Sequence, residues 1–585
     1  MNTMARIINL LHNRYTLYTA TVLIIAARLK FTWLKFGHIL VDTYRDQWVI
    51  HCLSIGKTLY KDIFYLYGPF PVYCLSVLYR VYGTYVPVFI FCNTLIFLLF
   101  CFILYRTSRL FLNRYISALC VVHFTIVFGL ASYHRYCIFN FIVPYSAAST
   151  FYALFSITAV YFFVRYLKHE KNKYFIFWCT AMTGAFTCRP EFALLIWAAF
   201  TACASVHLIR KREPRSILRV FLPLTAAILL YAVFFSFTGS FNGFRLSLLG
   251  AINTAQTGNS TFSMNAFSSG SLSGNFIIAV KSLCFFIISL MLITASCSIK
   301  RKSVRTFSTI AIAGVICAVM SKISHTNYYR FLPLLLGAGC IIHILNRQSR
   351  VMIIASVGLV SLIRILFNVH PSFYSFFLIP CGLVYLYFFS FAWFCDNAEK
   401  LLKTFSPALY KTAVAVVFIT CIVSSYSSSE PYITKKTKLF SLPGLTEFYY
   451  YGLPDETAVI STVNWLRNNT KKTDTLVCFP EGIAFNFLSG RFNPTPYHTY
   501  LPDQALKITD DIMIQQLQKH KVDYILLHTR DVTEYGSRGF GKDYGIKLTE
   551  WISDNYTLHK TLTAGNRNNN NSFSIKIFRK SKEQF

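Results

Sequence analysis

Residues 41–83 read VDTYRDQWVIHCLSIGKTLYKDIFYLYGPFPVYCLSVLYRVYG. The topology of the whole chain turns on whether the part PFPVYCLSVLYRVY (69–82) crosses a membrane. It is apolar, but it is shorter than the roughly 20 residues a helix needs to span a bilayer core. Thirteen other apolar runs surround it, at about 16–36, 85–105, 114–130, 143–164, 174–188, 191–209, 218–238, 275–297, 306–321, 329–345, 351–367, 372–394 and 410–427. Basic clusters separate them: Arg6/Arg14, Arg106/Arg109/Arg114, Arg165/Lys168/Lys171/Lys173, Arg210/Lys211/Arg212/Arg215/Arg219, Lys300/Arg301/Lys302/Arg305, Arg347/Arg350 and Lys400/Lys403/Lys411. If the thirteen runs alternate, every cluster falls on one side. Counting 69–82 as a further span sends the later ones across. The positive-inside rule makes the basic side cytoplasmic. Residues 69–82 then form an interfacial helix on the outer surface, with Arg80 among the headgroups. The N-terminus is inside and the polar C-terminal region outside.

Composition agrees with that reading. The 585 residues are 54% hydrophobic and 17% aromatic, with a mean hydropathy of +0.46, more apolar surface than a soluble fold can bury. The class is a polytopic α-helical membrane protein with about thirteen spans. The first apolar run lacks a small-residue cleavage pattern and reads as a retained helix. The net charge of +33 sits largely in short loops, where it sets topology and meets anionic headgroups. No nucleic-acid-binding motif accompanies it, so nucleic acid is excluded as the partner. Of seventeen cysteines, sixteen fall within residues 1–421, mostly inside apolar helices, where a thiol is a small packing residue. Cys478 stands alone in the C-terminal region, and no Cys/His cluster has zinc-site spacing.

The chain divides into a membrane part, 1–429, and an extracytoplasmic part, 430–585, with residues 37–84 as the first external loop. The second part holds sixteen of the 24 acidic residues. It alternates helical patterns (456–468, 505–521, 546–555) with strand patterns (475–479, 523–529, 557–563, 572–579), and PEGIAFNFL after the first strand resembles a helix start. Such alternation predicts a small α/β domain with a parallel sheet. No Gly-rich nucleotide fingerprint follows TLVCF. Residues 239–274, rich in Ser, Asn and Gly, read as a mobile loop, equally a lid or a connector.

Carboxylates are scarce in the membrane part. Residues 1–395 contain only Asp42, Asp46, Asp62, Glu170, Glu191 and Glu213, and the topology gathers four of them outside. Asp42 and Asp46, four apart, would share one face of a helix. A carboxylate held partly out of water gains proton affinity and can serve as a general base; the same residues suit a helix cap and an ion pair with Arg45. Arg189 and Glu191 flank a proline able to start a helix; they form either a salt-bridged turn or a phosphate-binding arginine with its orienting glutamate. Lys322, His325, Asn327, Tyr328 and Arg330 crowd one outer turn. They suit an anionic lipid phosphate or ordinary snorkelling. His134 and Arg135 form a weaker candidate of the same kind.

These motifs together resemble the GT-C membrane glycosyltransferases, in the branch of the protein mannosyltransferases and lipid A aminoarabinose transferases (glycosyltransferase family 39-like). The resemblance lies in Asp42, Gly56/Tyr60/Asp62, Gly68/Pro69/Tyr73 and Tyr82/Gly83, and extends to RPEFAL (189–194) and HTNYYRFLP (325–333). Where many members have Asp-Glu, this chain has Asp42-Thr43. The resemblance implies a transferase that takes a sugar from a polyprenyl-phosphate donor on the non-cytoplasmic face. The acceptor is a hydroxyl of a lipid, glycan or protein, and the anomeric carbon is inverted. It implies Asp42 as base, with Asp46 beside it; Arg189, Lys322, His325 and Arg330 at the leaving phosphate; and Asp62 and Glu191 as orienting groups. It leaves a divalent cation as an option and points to a bacterial inner membrane with a periplasmic site. The rival readings are a carrier of lipid-linked saccharides and a non-catalytic scaffold.

Overall fold

A computed structural model describes residues 14–210, 214–246, 272–323, 327–367, 370–564 and 573–581. Most of the 239–274 loop, and His325, lie outside the described residues.

All thirteen apolar runs are helical. Eight of the described helices are long and apolar enough to cross a membrane alone, and a ninth crossing is made if one bent pair counts as a single span. The expected count of thirteen goes beyond what length and composition support. Arg114–Gly129 and Leu332–Leu345 are shorter apolar helices. The run at 372–394 is not one straight helix: it breaks between Leu378 and Pro380 with a bend of 80°. Pro380 cannot donate a backbone N–H, and its ring crowds the preceding turn. Residues 69–82 form the separate short helix Phe70–Tyr82, whose Val77, Val81 and Tyr82 face outward as an interfacial helix requires.

The helices run between two distinct ends. Val41, Tyr145, Tyr374 and Glu481 line one cavity, whereas Leu110, Leu167, His207, Arg347, Arg350 and Lys400 line another. Helix Ala147–His169 starts beside the first and finishes beside the second. Its length alone, about 35 Å at 1.5 Å per residue, separates them. Basic residues from several of the clusters thus gather at the end away from the first loop.

The C-terminal region carries an antiparallel hairpin, β1 (Lys438–Leu442) with β2 (Thr446–Tyr450). It also has a four-stranded sheet of β3 (Leu476–Phe479), β4 (Tyr524–His528), β5 (Tyr556–Ala564) and β6 (Phe573–Lys580), in the order β3-β4-β6-β5. Only β3 and β4 are parallel; β6 pairs antiparallel with both β4 and β5. The sheet is therefore mixed, because β5 and β6 follow one another without an intervening helix. Helices Pro454–Asn469, Asp510–His520 and Ile546–Asn555 lie where the periodicity places them.

This region is welded to the membrane part. The backbone N–H groups of Phe64, Val86 and Tyr449 donate to the carbonyls of Pro496, Leu445 and Leu34 at 2.8–2.9 Å. Tyr44 packs on Phe448 and Phe487, and Trp48 on Phe492. One buried apolar cluster runs from the spans through the first loop into Phe440, Val463 and Leu476. Arg28, buried in the first described helix, pairs at 2.7 Å with Glu430, where the C-terminal region begins.

Candidate active site

Asp42 sits in a tight loop rather than on a helix. Its φ of +55° is left-handed, a conformation few residues other than glycine adopt. The loop is held from inside: the Thr43 hydroxyl accepts from the His38 N–H, and His38 Nδ1 accepts from the N–H groups of Leu40 and Val41. Gly37, at φ +93°, donates its N–H to the Cys137 carbonyl, and a Cβ there would press on Thr43 and Val143. Helix Arg45–Ser54 begins three residues after Asp42. Asp42 and Asp46 therefore do not share a helix face, because Asp42 precedes the helix.

The two carboxylates diverge. Asp42 Oδ1 meets Arg45 at 2.5 Å, and its side chain, 20% exposed, lines a cavity of about 270 Å³. Burial raises its proton affinity, and Arg45 opposes the rise. Asp46 turns the other way. It is 2% exposed, and its Oδ2 accepts the backbone N–H of Ala147 at 2.5 Å, satisfying the first turn of helix Ala147–His169. Burial pushes its pKa to about 6. Asp46 does not line the cavity; it holds the helix start against the loop.

Three parts of the chain build the walls. Tyr65 and Tyr67 come from the first loop, and His134, Tyr136 and Tyr145 from residues 131–146. Phe373 and Tyr374 come from the half-helix before the Pro380 bend. The roof is C-terminal: Glu481, His498, Asp503 and Arg530. Arg530 Nε pairs with Glu481 Oε2 at 3.1 Å, and both stand close enough to act on Asp42 through space. Glu481 follows β3 and Arg530 follows β4, the two adjacent parallel strands. Sites in open α/β sheets form at the carboxyl ends of such strands. That rule could have singled out PEG (480–482) and HTRD (528–531), which the reading by motif passed over. Burial holds His498 at about 3 and His134 at about 4, so both are neutral at pH 7.

The other sequence candidates lie elsewhere. Arg189 is buried behind the wall. It donates to the Tyr145 hydroxyl and to Ser149 at 2.7 Å, pairs with Glu191 at 2.5 Å, and lies over the Tyr67 ring at 4.6 Å. It props two tyrosines of the cavity and does not line it, so the salt-bridged turn is the arrangement found. Asp62 closes its own turn by accepting the Thr58 N–H. Lys322 is exposed at the end of helix Lys302–Lys322, and Arg330 donates to Asn275 at 3.0 Å; neither reaches the cavity. Arg135 pairs with Asp455 of the C-terminal region at 3.4 Å. Gly68 allows the first loop to touch the Arg189 turn: its N–H donates to the Cys188 carbonyl, and a Cβ would lie 2.1 Å from the Thr187 carbonyl oxygen. Among the described residues, no group of three or more His, Cys, Asp and Glu side chains is placed to hold a metal ion.

The molecule is thus a polytopic helical membrane protein with an acidic, arginine-bearing and tyrosine-walled cavity under a sheet domain. No protein-family model matches the chain, and no curated protein matches it. Among solved structures, the archaeal oligosaccharyltransferase AglB from Archaeoglobus fulgidus, in complex with an inhibitory peptide and a dolichol-phosphate, is 11% identical with a TM-score of 0.48, over 96% of this chain and 75% of that one. ArnT from Cupriavidus metallidurans in the apo state is 10% identical with a TM-score of 0.40, over 96% and 98%. The same protein bound to undecaprenyl phosphate gives 10% and 0.39, over 95% and 97%.

Proposed function

We propose that this protein is a membrane glycosyltransferase that moves a sugar from a polyprenyl-phosphate donor to an acceptor hydroxyl. The observation that carries the reading is the placement of Asp42. It is a carboxylate fixed in a left-handed turn, open to an enclosed cavity and paired with Arg45. Asp42 takes the acceptor proton as the acceptor oxygen bonds to the anomeric carbon. The bond from that carbon to the phosphate oxygen breaks, and polyprenyl phosphate leaves with inversion. A positioned base of this kind contributes about 10²–10⁴-fold.

The leaving phosphate gains charge, and fixed cations facing it lower the barrier. In this reading Arg45 and Arg530, which border the cavity, take the role first given to Arg189, Lys322, His325 and Arg330. Arg189 positions Tyr67 and Tyr145. Glu481 orients Arg530. Asp46 is a positioning residue for the loop. Asp62 and Glu191 serve their local turns. With the basic helix ends on the cytoplasmic side, the cavity and residues 430–585 face the periplasm.

The test compares envelope lipids and glycans by mass spectrometry in cells carrying the wild-type gene, Asp42→Asn, or no gene. The expected result is one sugar lost alike in the deletion and in Asp42→Asn. A sugar retained by Asp42→Asn removes the base assignment, and no missing sugar in the deletion removes the transferase. Repeating the transfer in purified membranes with EDTA decides the divalent-ion option.

A further inference from the structure

We propose that a second site, at the opposite end of the helix bundle, binds a phosphate-bearing anion. A cleft of about 850 Å³ opens there, larger than the cavity at Asp42. Its rim carries Arg347, Arg350 and Lys400, with His207 on a neighbouring helix end and Asp396 as the single carboxylate. Leu110, Phe111, Phe388 and Trp393 supply the apolar part of its lining. Among the described residues, no ion pair joins any of the three cations to a carboxylate. Arg165, Lys168 and Lys171 stand close enough to act on His169 together with Arg350, so further cations lie at this end. Cations beside apolar side chains at the basic end of the bundle suit the phosphate of an anionic lipid headgroup.

Two further backbone features lie at this cleft. Arg347, at φ +57°, is the left-handed residue that ends helix Leu332–Leu345, with the Gln348 N–H donating to the His343 carbonyl at 2.9 Å. The side-chain oxygen of Gln348 accepts from His343 Nδ1 at 2.7 Å, while His343 Nε2 accepts from Tyr385. Trp393, in the lining, ends the π-helical turn Phe389–Trp393, and the Asn397 side chain donates to its carbonyl. Single π turns inside helices recur at functional sites. The site does not depend on the transferase reading.

The test titrates the purified full chain in neutral detergent with phosphatidylglycerol, phosphatidylcholine and inorganic pyrophosphate, read by native mass spectrometry. Phosphatidylglycerol or pyrophosphate is expected to bind at least about tenfold tighter than phosphatidylcholine. Each of Arg350→Gln and Lys400→Gln should weaken that binding roughly fivefold. The two lie on different helices and are exposed, so at least one readout survives a folding defect in the other. Lys302→Gln, on the same end but outside the cleft, should leave binding unchanged. Preference for phosphatidylglycerol alone identifies a lipid headgroup, and competition by pyrophosphate a soluble phosphate. No preference for either anion, or wild-type binding by both variants, overturns the proposal.

Discussion

Asp42 and Asp46 lie four positions apart and do opposite work. Asp42 is reachable and paired; Asp46 is sealed against the start of a helix. Asp42→Asn should cut transfer by at least about 10²-fold with little change in melting temperature, measured by differential scanning fluorimetry in detergent. Asp46 should instead show itself in stability. Its folded pKa of about 6 lies above the unfolded carboxylate value, so the native state binds the extra proton. Stability from this residue is full below about pH 4, falls as pH rises toward 6, and is flat above. Asp46→Asn should flatten the melting-temperature profile across that window. Arg189→Ala should cost about 3 kcal/mol, because it strips Tyr145 and Ser149 of a buried charged partner. A variant as stable as wild type but unable to bind donor would restore Arg189 to the phosphate site.

Two contacts between elements border the cavity. The first is Gly68 against the Thr187–Cys188 carbonyls. Gly68→Ala puts a methyl where no atom fits, so the loop must withdraw, and Tyr67 with it. Activity should fall at least about tenfold with the protein still in the membrane; a fully active variant would show that the Tyr67 wall is not needed. The second is the pair at the ends of β3 and β4. Arg530→Ala should raise KM or lower kcat while the fold survives, since Arg530 sits on a loop and not in the sheet. Unchanged kinetics with donor and acceptor would remove the C-terminal region from the chemistry. The elements themselves were largely legible. The interfacial helix at 70–82 follows from its length and aromatic content, and the strands at 476–479 and 524–528 from apolar runs. The break at Pro380 was also visible, as a proline inside a helical pattern, yet hydropathy averaged it away. The hairpin at 438–450 was missed because its aromatic and charged residues alternate without a strong apolar run.

At the scale of the molecule, the division at residue 430 is a boundary of composition more than of packing. The apolar cluster crosses it, and the cavity has walls on both sides. Removing 430–585 should therefore expose Tyr44 and Trp48 and leave a membrane part that aggregates on extraction, read by size-exclusion chromatography. A monodisperse, stable truncation would mean that the two parts fold separately. A reporter fused after residue 581 should read as periplasmic, because the basic ends of the helices lie away from the cavity.

The amino-acid sequence alone determined the membrane class, the helical runs and the end at which the cations collect, and it singled out Asp42 as a candidate. These follow from local quantities: hydropathy over a span, loop charge and the rarity of carboxylates. Only the tertiary structure decided which charged groups meet. Arg189 went behind a wall, Asp46 to a helix start, and Lys322 and Arg330 to other places, while Glu481 and Arg530 arrived from more than 400 residues away along the chain. No periodicity encodes that meeting, because it depends on how a sheet domain seats itself on a loop.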